Sequence, residues 1–216
     1  MKQTARIFSL FLATLMTIGC NASVNSSLKV ANNEKVSGGL STVNGSISIG
    51  TDAEVGGASQ TVNGRISVDD GAQVGALQTV NGAIRLGKKV VVKGDVQTVN
   101  GAAACGSGTE VQGDVGTING SIQLAGAVVD GQVATHNGAI TLREQTVVKR
   151  DLVIERNRGV GNNKKALEIR ILDGSVVEGD VIVHTKREVK ILMDKSSEVR
   201  GEVKNATLVF VDEEEA

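Results

Sequence analysis

The chain is poor in aromatic residues, cysteine and histidine, and carries almost no net charge. It has no tryptophan or tyrosine, and its three phenylalanines are Phe8, Phe11 and Phe210. The stacking platform on which sugar-binding proteins commonly rest a ring is therefore missing. The two histidines, His136 and His184, stand apart, and no His/Cys/Asp/Glu group has metal-ligand spacing, so no metal or other cofactor is expected. Net charge is −1, without the basic patch of a nucleic-acid-binding surface, and no nucleic-acid partner is expected. The apolar run from Ile7 to Gly19 has 13 residues, too few for a permanent transmembrane helix. Behind the basic start Met1 to Arg6 it suits a secretory signal. Helical periodicity is absent as well, and 27 glycines with abundant β-branched residues oppose helix.

What the chain has instead is repetition. Thr42-Val43-Asn44-Gly45 recurs at Thr61 to Gly64, Thr79 to Gly82, Thr98 to Gly101, Thr117-Ile118-Asn119-Gly120 and Thr135-His136-Asn137-Gly138, in steps of 19, 18, 19, 19 and 18 residues. Ser23-Val24-Asn25-Ser26 is a degenerate first copy. A short constant period means one unit stacked many times, each too small to bury its apolar face alone. Strict alternation follows each phrase, as in Ser46-Ile47-Ser48-Ile49, and marks a strand with one buried face. A second phrase comes six residues later: Val55-Gly56-Gly57, Val74-Gly75-Ala76, Val92-Lys93-Gly94, Val111-Gln112-Gly113, Val129-Asp130-Gly131. Val62, Val68, Val74 and Val80 lie six apart, which predicts that all four point inward on three six-residue sides.

The expected fold is all-β: a single-stranded parallel β-helix of about nine triangular turns. At about 4.8 Å per turn the rod is roughly 40 Å long. Val148, Val177 and Val199 continue the second phrase, and the extra length between Val148 and Val177 falls in a basic Gly/Asn-rich loop over residues 156–165. The solenoid is expected over residues 23–211, with 1–19 a signal peptide, 20–22 an anchor and short linker, and 212–216 an acidic tail. Thr207 to Val211 is the expected closing strand and Phe210 the expected cover of the last core layer, because an open terminal turn offers unpaired strand edges. The acidic tail is expected to repel a second copy. Cys105 lies seven residues after Thr98, the offset of Ile49 from Thr42, so it points inward as a small hydrophobe.

The Thr and Asn ranks, Thr42, Asn44, Thr61, Asn63, Thr79, Asn81, Thr98, Asn100, Thr117, Asn119, Thr135 and Asn137, are the candidate site residues. Displayed outward, they would form a regular hydroxyl and amide array able to dock a glycan or ice. The competing reading is a corner ladder of stacked asparagines with glycine supplying the bend. Asn-Gly is foremost a turn signal and favours the ladder. No catalytic residue is assigned. Polysaccharide-processing β-helices group charged residues on adjacent turns, whereas Asp69-Asp70 is followed one turn later by Gly87-Lys88. Residues 21–142 carry 7 basic and 9 acidic side chains and residues 143–216 carry 14 and 15, a plain rod with a charged, solvated end.

Thr17-Ile18-Gly19-Cys20 resembles the bacterial lipobox, which implies acylation of Cys20 and a membrane contact through that lipid. With Cys20 acylated, Cys105 has no disulfide partner. Asn21 after the cysteine implies outer-membrane sorting by the same resemblance. The alternative is cleavage nearby, after Ala22, giving a soluble secreted protein. The Val-x-Gly-x-Val phrases (Val92 to Val96, Val111 to Val115, Val177 to Val181) and the triangular rod resemble the bactofilins, polymer-forming bacterial proteins, over Val24 to Val211. Bactofilins carry no export leader, and this chain departs from them there. The Asn-Gly repeats also look like adhesin-type β-helices of bacterial envelopes. These resemblances imply right-handed winding and a non-enzymatic envelope role, as a scaffold or self-associating rod or as a glycan-binding adhesin.

Overall fold

The computed structural model describes residues 21–156 and 166–212. The expected signal segment with Cys20, the basic segment beyond Arg156 and the acidic residues beyond Asp212 lie outside the described residues. Short strands of two to five residues repeat in groups of three, and each strand pairs in parallel with its counterparts one repeat away. Leu77–Thr79, for example, lies between Ser59–Thr61 and Val96–Thr98, with Thr79 opposite both Thr61 and Thr98. Three sheets result. The first has ten strands, from Asn21–Ser23 to Val203–Lys204. The second has ten, from Leu28–Val30 to Thr207–Phe210, and the third nine, from Lys35–Val36 to Glu198–Val199. The chain visits the three in turn, which makes a three-sided parallel β-solenoid of nine circuits plus two further strands.

The core is a set of stacked columns inside these sheets. Ile47, Ile66, Ile84, Ile122, Ile140 and Ile169 form one, and Val55, Val74, Val92, Val111, Val129, Val148 and Val177 another, each nearly inaccessible to water. Alternation works here as it does in a half-buried strand: Ile47 and Ile49 are buried and Ser48 between them is exposed. Cys105 falls in the column of Ile49, Val68 and Leu86 and is 4% exposed. The insertion after Arg156 leaves the register intact, with Val148 opposite Val177 despite the longer circuit.

Two expectations fail. Asn21 and Ala22 are not part of a linker, because Asn21–Ser23 is already a strand paired with Leu40–Thr42. Val43, Val62 and Val80 do not point inward: Val43 is 37% exposed, the other two are half-buried, and Thr42, Thr61 and Thr79 are buried in their place. The six-residue step holds from Val68 to Val74, but Leu77 and Thr79 are the next inward residues and the Asn-Gly corner then resets the alternation. Phe210 stacks on Met193 at the end of the core column, as expected, and its outer side is left 64% exposed because among the described residues no strand lies over it.

Candidate functional site

The Thr-x-Asn-Gly corner joins the first sheet to the second and splits the candidate residues between inside and outside. The buried threonines bond turn to turn. Thr61 Oγ1 donates to the Gly45 carbonyl at 2.8 Å, Thr79 to Gly64 at 2.9 Å, Thr98 to Gly82 at 2.9 Å and Thr117 to Gly101 at 3.1 Å. Thr42 donates to the Ser26 carbonyl, and Thr135 Oγ1 accepts the Gly138 N–H. Five of these six hydroxyls thereby serve a backbone carbonyl at the bend and the sixth serves a backbone N–H, and burial makes that service matter.

The asparagines stand on the outer side and form a continuous amide ladder. Asn44, Asn63, Asn81, Asn100, Asn119 and Asn137 each donate Nδ2 to Oδ1 of the asparagine one turn earlier, starting from Asn25, at 2.8–2.9 Å. All six bonds run in one direction, so each inner rung both accepts and donates. Glycine follows because the turns approach closely. A Cβ at Gly64, Gly82, Gly101, Gly120 or Gly138 would lie 1.6–1.9 Å from the carbonyl oxygen of the preceding glycine in the column. Val43, Val62, Val80, Val99 and Ile118 fill the outward position between Thr and Asn, and His136 takes it in the sixth copy. The outward array of hydroxyls and amides therefore does not form: the amides are accessible and the hydroxyls are interior.

A second ladder escaped the sequence reading. Asp95 Oδ1 accepts the Asp114 N–H at 2.9 Å, Asp114 Oδ1 accepts Gln132 N–H at 2.8 Å, Asp151 accepts Asp180 N–H and Asp180 accepts Glu202 N–H, both at 2.9 Å. This carboxylate stair occupies the corner from the third sheet to the first. Its sequence signal is the Gly-Asp pair at Gly94-Asp95, Gly113-Asp114 and Gly179-Asp180. The Lys204 ammonium, followed by the Glu202 N–H, holds the Asp180 carboxyl below its ordinary value.

At the corner from the second sheet to the third, Asp194 is 2% exposed. Burial opposes its ionisation, but the N–H of Asp173 with the hydroxyls of Ser197 and Ser196 outweighs it and keeps the carboxyl below its ordinary value. Burial alone pushes the Cys105 thiol up to about 12. Seven of the nine ion pairs among the described residues fall in 168–212, all exposed, as the charge distribution suggested for a solvated surface. Among the described residues no group of three His, Cys, Asp or Glu side chains is placed to hold a metal ion. The corners thus supply hydrogen-bonded ladders that fix the turns to one another. Comparison with family models, curated proteins and solved structures found no match to this chain.

Proposed function

We propose that the chain is a non-enzymatic bacterial cell-envelope lipoprotein, a structural scaffold in the form of a self-associating β-helical rod. One observation carries the reading: among the described residues no strand lies over the rod's last turn. Leu208, Val209 and Phe210 are 37%, 36% and 64% exposed on the last strand of the second sheet, and Val199 and Val203 beside them are only partly buried. An apolar core end rimmed by unpaired strand edges is satisfied by another β-edge, and a second copy supplies one. The resemblance to bactofilins supports the same reading, and the adhesin resemblance offers the second one, a binding module. That module keeps the Asn rank and the basic loop as its surfaces, since the threonines are buried.

The export leader and the Thr17 to Cys20 lipobox support a lipid on Cys20 and an outer-membrane address. The first strand begins at Asn21. An acylated Cys20 therefore holds the first turn at the bilayer and leaves the open end roughly 40 Å away. Labelled palmitate is expected to enter the full chain and to be lost from Cys20→Ser. Cross-linking of the chain in vesicles is expected to give dimers and higher species that Leu208→Asp removes. A chain that stays monomeric in vesicles at every density would overturn the scaffold reading.

A further inference from the structure

The outer face of the second sheet carries a hollow of about 350 Å³ over the strands Ala103–Cys105, Ile122–Ala125 and Ile140–Arg143. The hollow forms because the small Ala104 lies between Arg85 and Gln123, and the small Ala125 lies beside Arg143. Gln123 and Thr141 line its middle and Arg143 one side. Ala104 pairs with Arg85 on the turn below, so a second guanidinium stands at the lower margin, three strand spacings or about 14 Å from Thr141.

Arg143 is the one charged residue that lines the hollow. Arg85 is exposed and makes no ion pair or side-chain hydrogen bond among the described residues. Arg143 is half-buried: its Nε is shut off from water, and its terminal N–H groups are the part a ligand can reach. The acceptor that suits that outer edge is a carboxylate held through two N–H groups. None of the residues lining the hollow is acidic. Glu168, on the strand above, is taken by Arg170 at 3.4 Å.

We propose that this hollow is a binding site for an acidic oligosaccharide. One carboxylate pairs with Arg143 and a second with Arg85, while Thr141 and Gln123 bond sugar hydroxyls between them. Two cations about three strand spacings apart with neutral hydrogen-bonding groups between match a chain whose carboxylates recur every few ångströms, rather than a single compact anion. The small floor admits sugar rings edge-on without the aromatic platform this chain lacks. The site is independent of the open C-terminal end and of self-association.

Titration calorimetry of the full chain in detergent tests it, with a uronate tetrasaccharide, a neutral glucose tetrasaccharide and inorganic phosphate as probes. The uronate is expected to bind, the neutral sugar at least tenfold more weakly. Arg143→Ala is expected to weaken uronate binding about tenfold, Arg143→Lys less, and Arg150→Ala, on another corner, not at all. Melting curves confirm that each variant is folded. Phosphate binding as tightly as the uronate would make the hollow a simple anion site and sink the oligosaccharide assignment. Equal binding of the two sugars, no binding of either, or an Arg143→Ala chain that binds normally would each overturn it.

Discussion

At the residue scale the repeat phrase assigns a separate task to each position. Thr98 is isosteric with valine, so only its hydroxyl distinguishes it, and that hydroxyl serves the Gly82 carbonyl. Thr98→Val is expected to cost about 1–2 kcal/mol in urea unfolding, and Thr98→Ser much less, because the buried carbonyl loses its donor only in the first. Gly101→Ala is expected to be worse, since its Cβ would meet the backbone oxygen of Gly82 at 1.9 Å and backbone cannot step aside. Cys105 gives a readout of the core. Its thiol is expected to resist alkylation in the native rod and to react once denaturant opens it. Its folded-state pKa of about 12 lies above the ordinary value of 9.0. Its contribution to stability is therefore complete below pH 9 and declines as pH rises from 9 toward 12.

At the scale of strands and corners, the sheets were legible in the sequence and the corners only partly. Alternation around Ile47 and Ile49, the inward Val column and the inward Cys105 all follow from period two, which a half-buried strand imposes. The reversed direction of Val43 and Thr42 was not legible, because both are β-branched with nearly equal volume and the chain bends between Asn44 and Gly45. Spacing measured across a bend carries no information about parity. The asparagine ladder could be read because an identical residue recurs at every turn. The carboxylate stair was missed because its column mixes Asp95 and Asp114 with Gln132 and Glu202. Asp194 could not be anticipated, since a lone acid in a salt-rich segment gives no hint of burial. It accepts the N–H groups of Asp173 at 2.5 Å and Ser196 at 3.1 Å and so ties the two upper turns together. Asp194→Ala is expected to cost about 2 kcal/mol and to speed hydrogen exchange at Asp173 and Ser196 before the rest of the rod. Because its folded-state pKa is depressed, the bonus from ionised Asp194 is present above the ordinary carboxyl range and disappears as pH falls through the lower folded value. Acid is therefore expected to loosen these upper turns first.

For the whole molecule the decisive property is that each turn touches only its neighbours, so stability is a chain of local terms and position decides the cost of an identical lesion. The acidic tail is one end of that chain. Asp212 meets Lys195 at 3.2 Å, with both side chains 82% exposed, a contact of little energetic weight, so any effect of the acidic tail is expected to come from charge repulsion. Deleting residues 212–216 is expected to shift light scattering toward larger assemblies, and scattering equal to that of the intact chain would show that the tail guards nothing. The sharper test compares two valines in one column of the third sheet. Val111 is 1% exposed and lies between Val92 and Val129. Val199 lies at the end of that column, above Val177, and is only partly buried. Val111→Asp seals a carboxylate among apolar side chains with no partner, at a cost of several kcal/mol, and it interrupts the stack near its middle. Neither remaining segment inherits a finished end, so this variant is expected to lose its strand signal in circular dichroism. Val199→Asp places the same carboxylate where water reaches it through the open end, and one terminal turn loosens while the turns beneath keep both neighbours. That variant is expected to fold, with faster hydrogen exchange confined to residues after Asp194. Equal loss of structure in the two would mean that the rod folds as one indivisible unit rather than as a series of coupled turns.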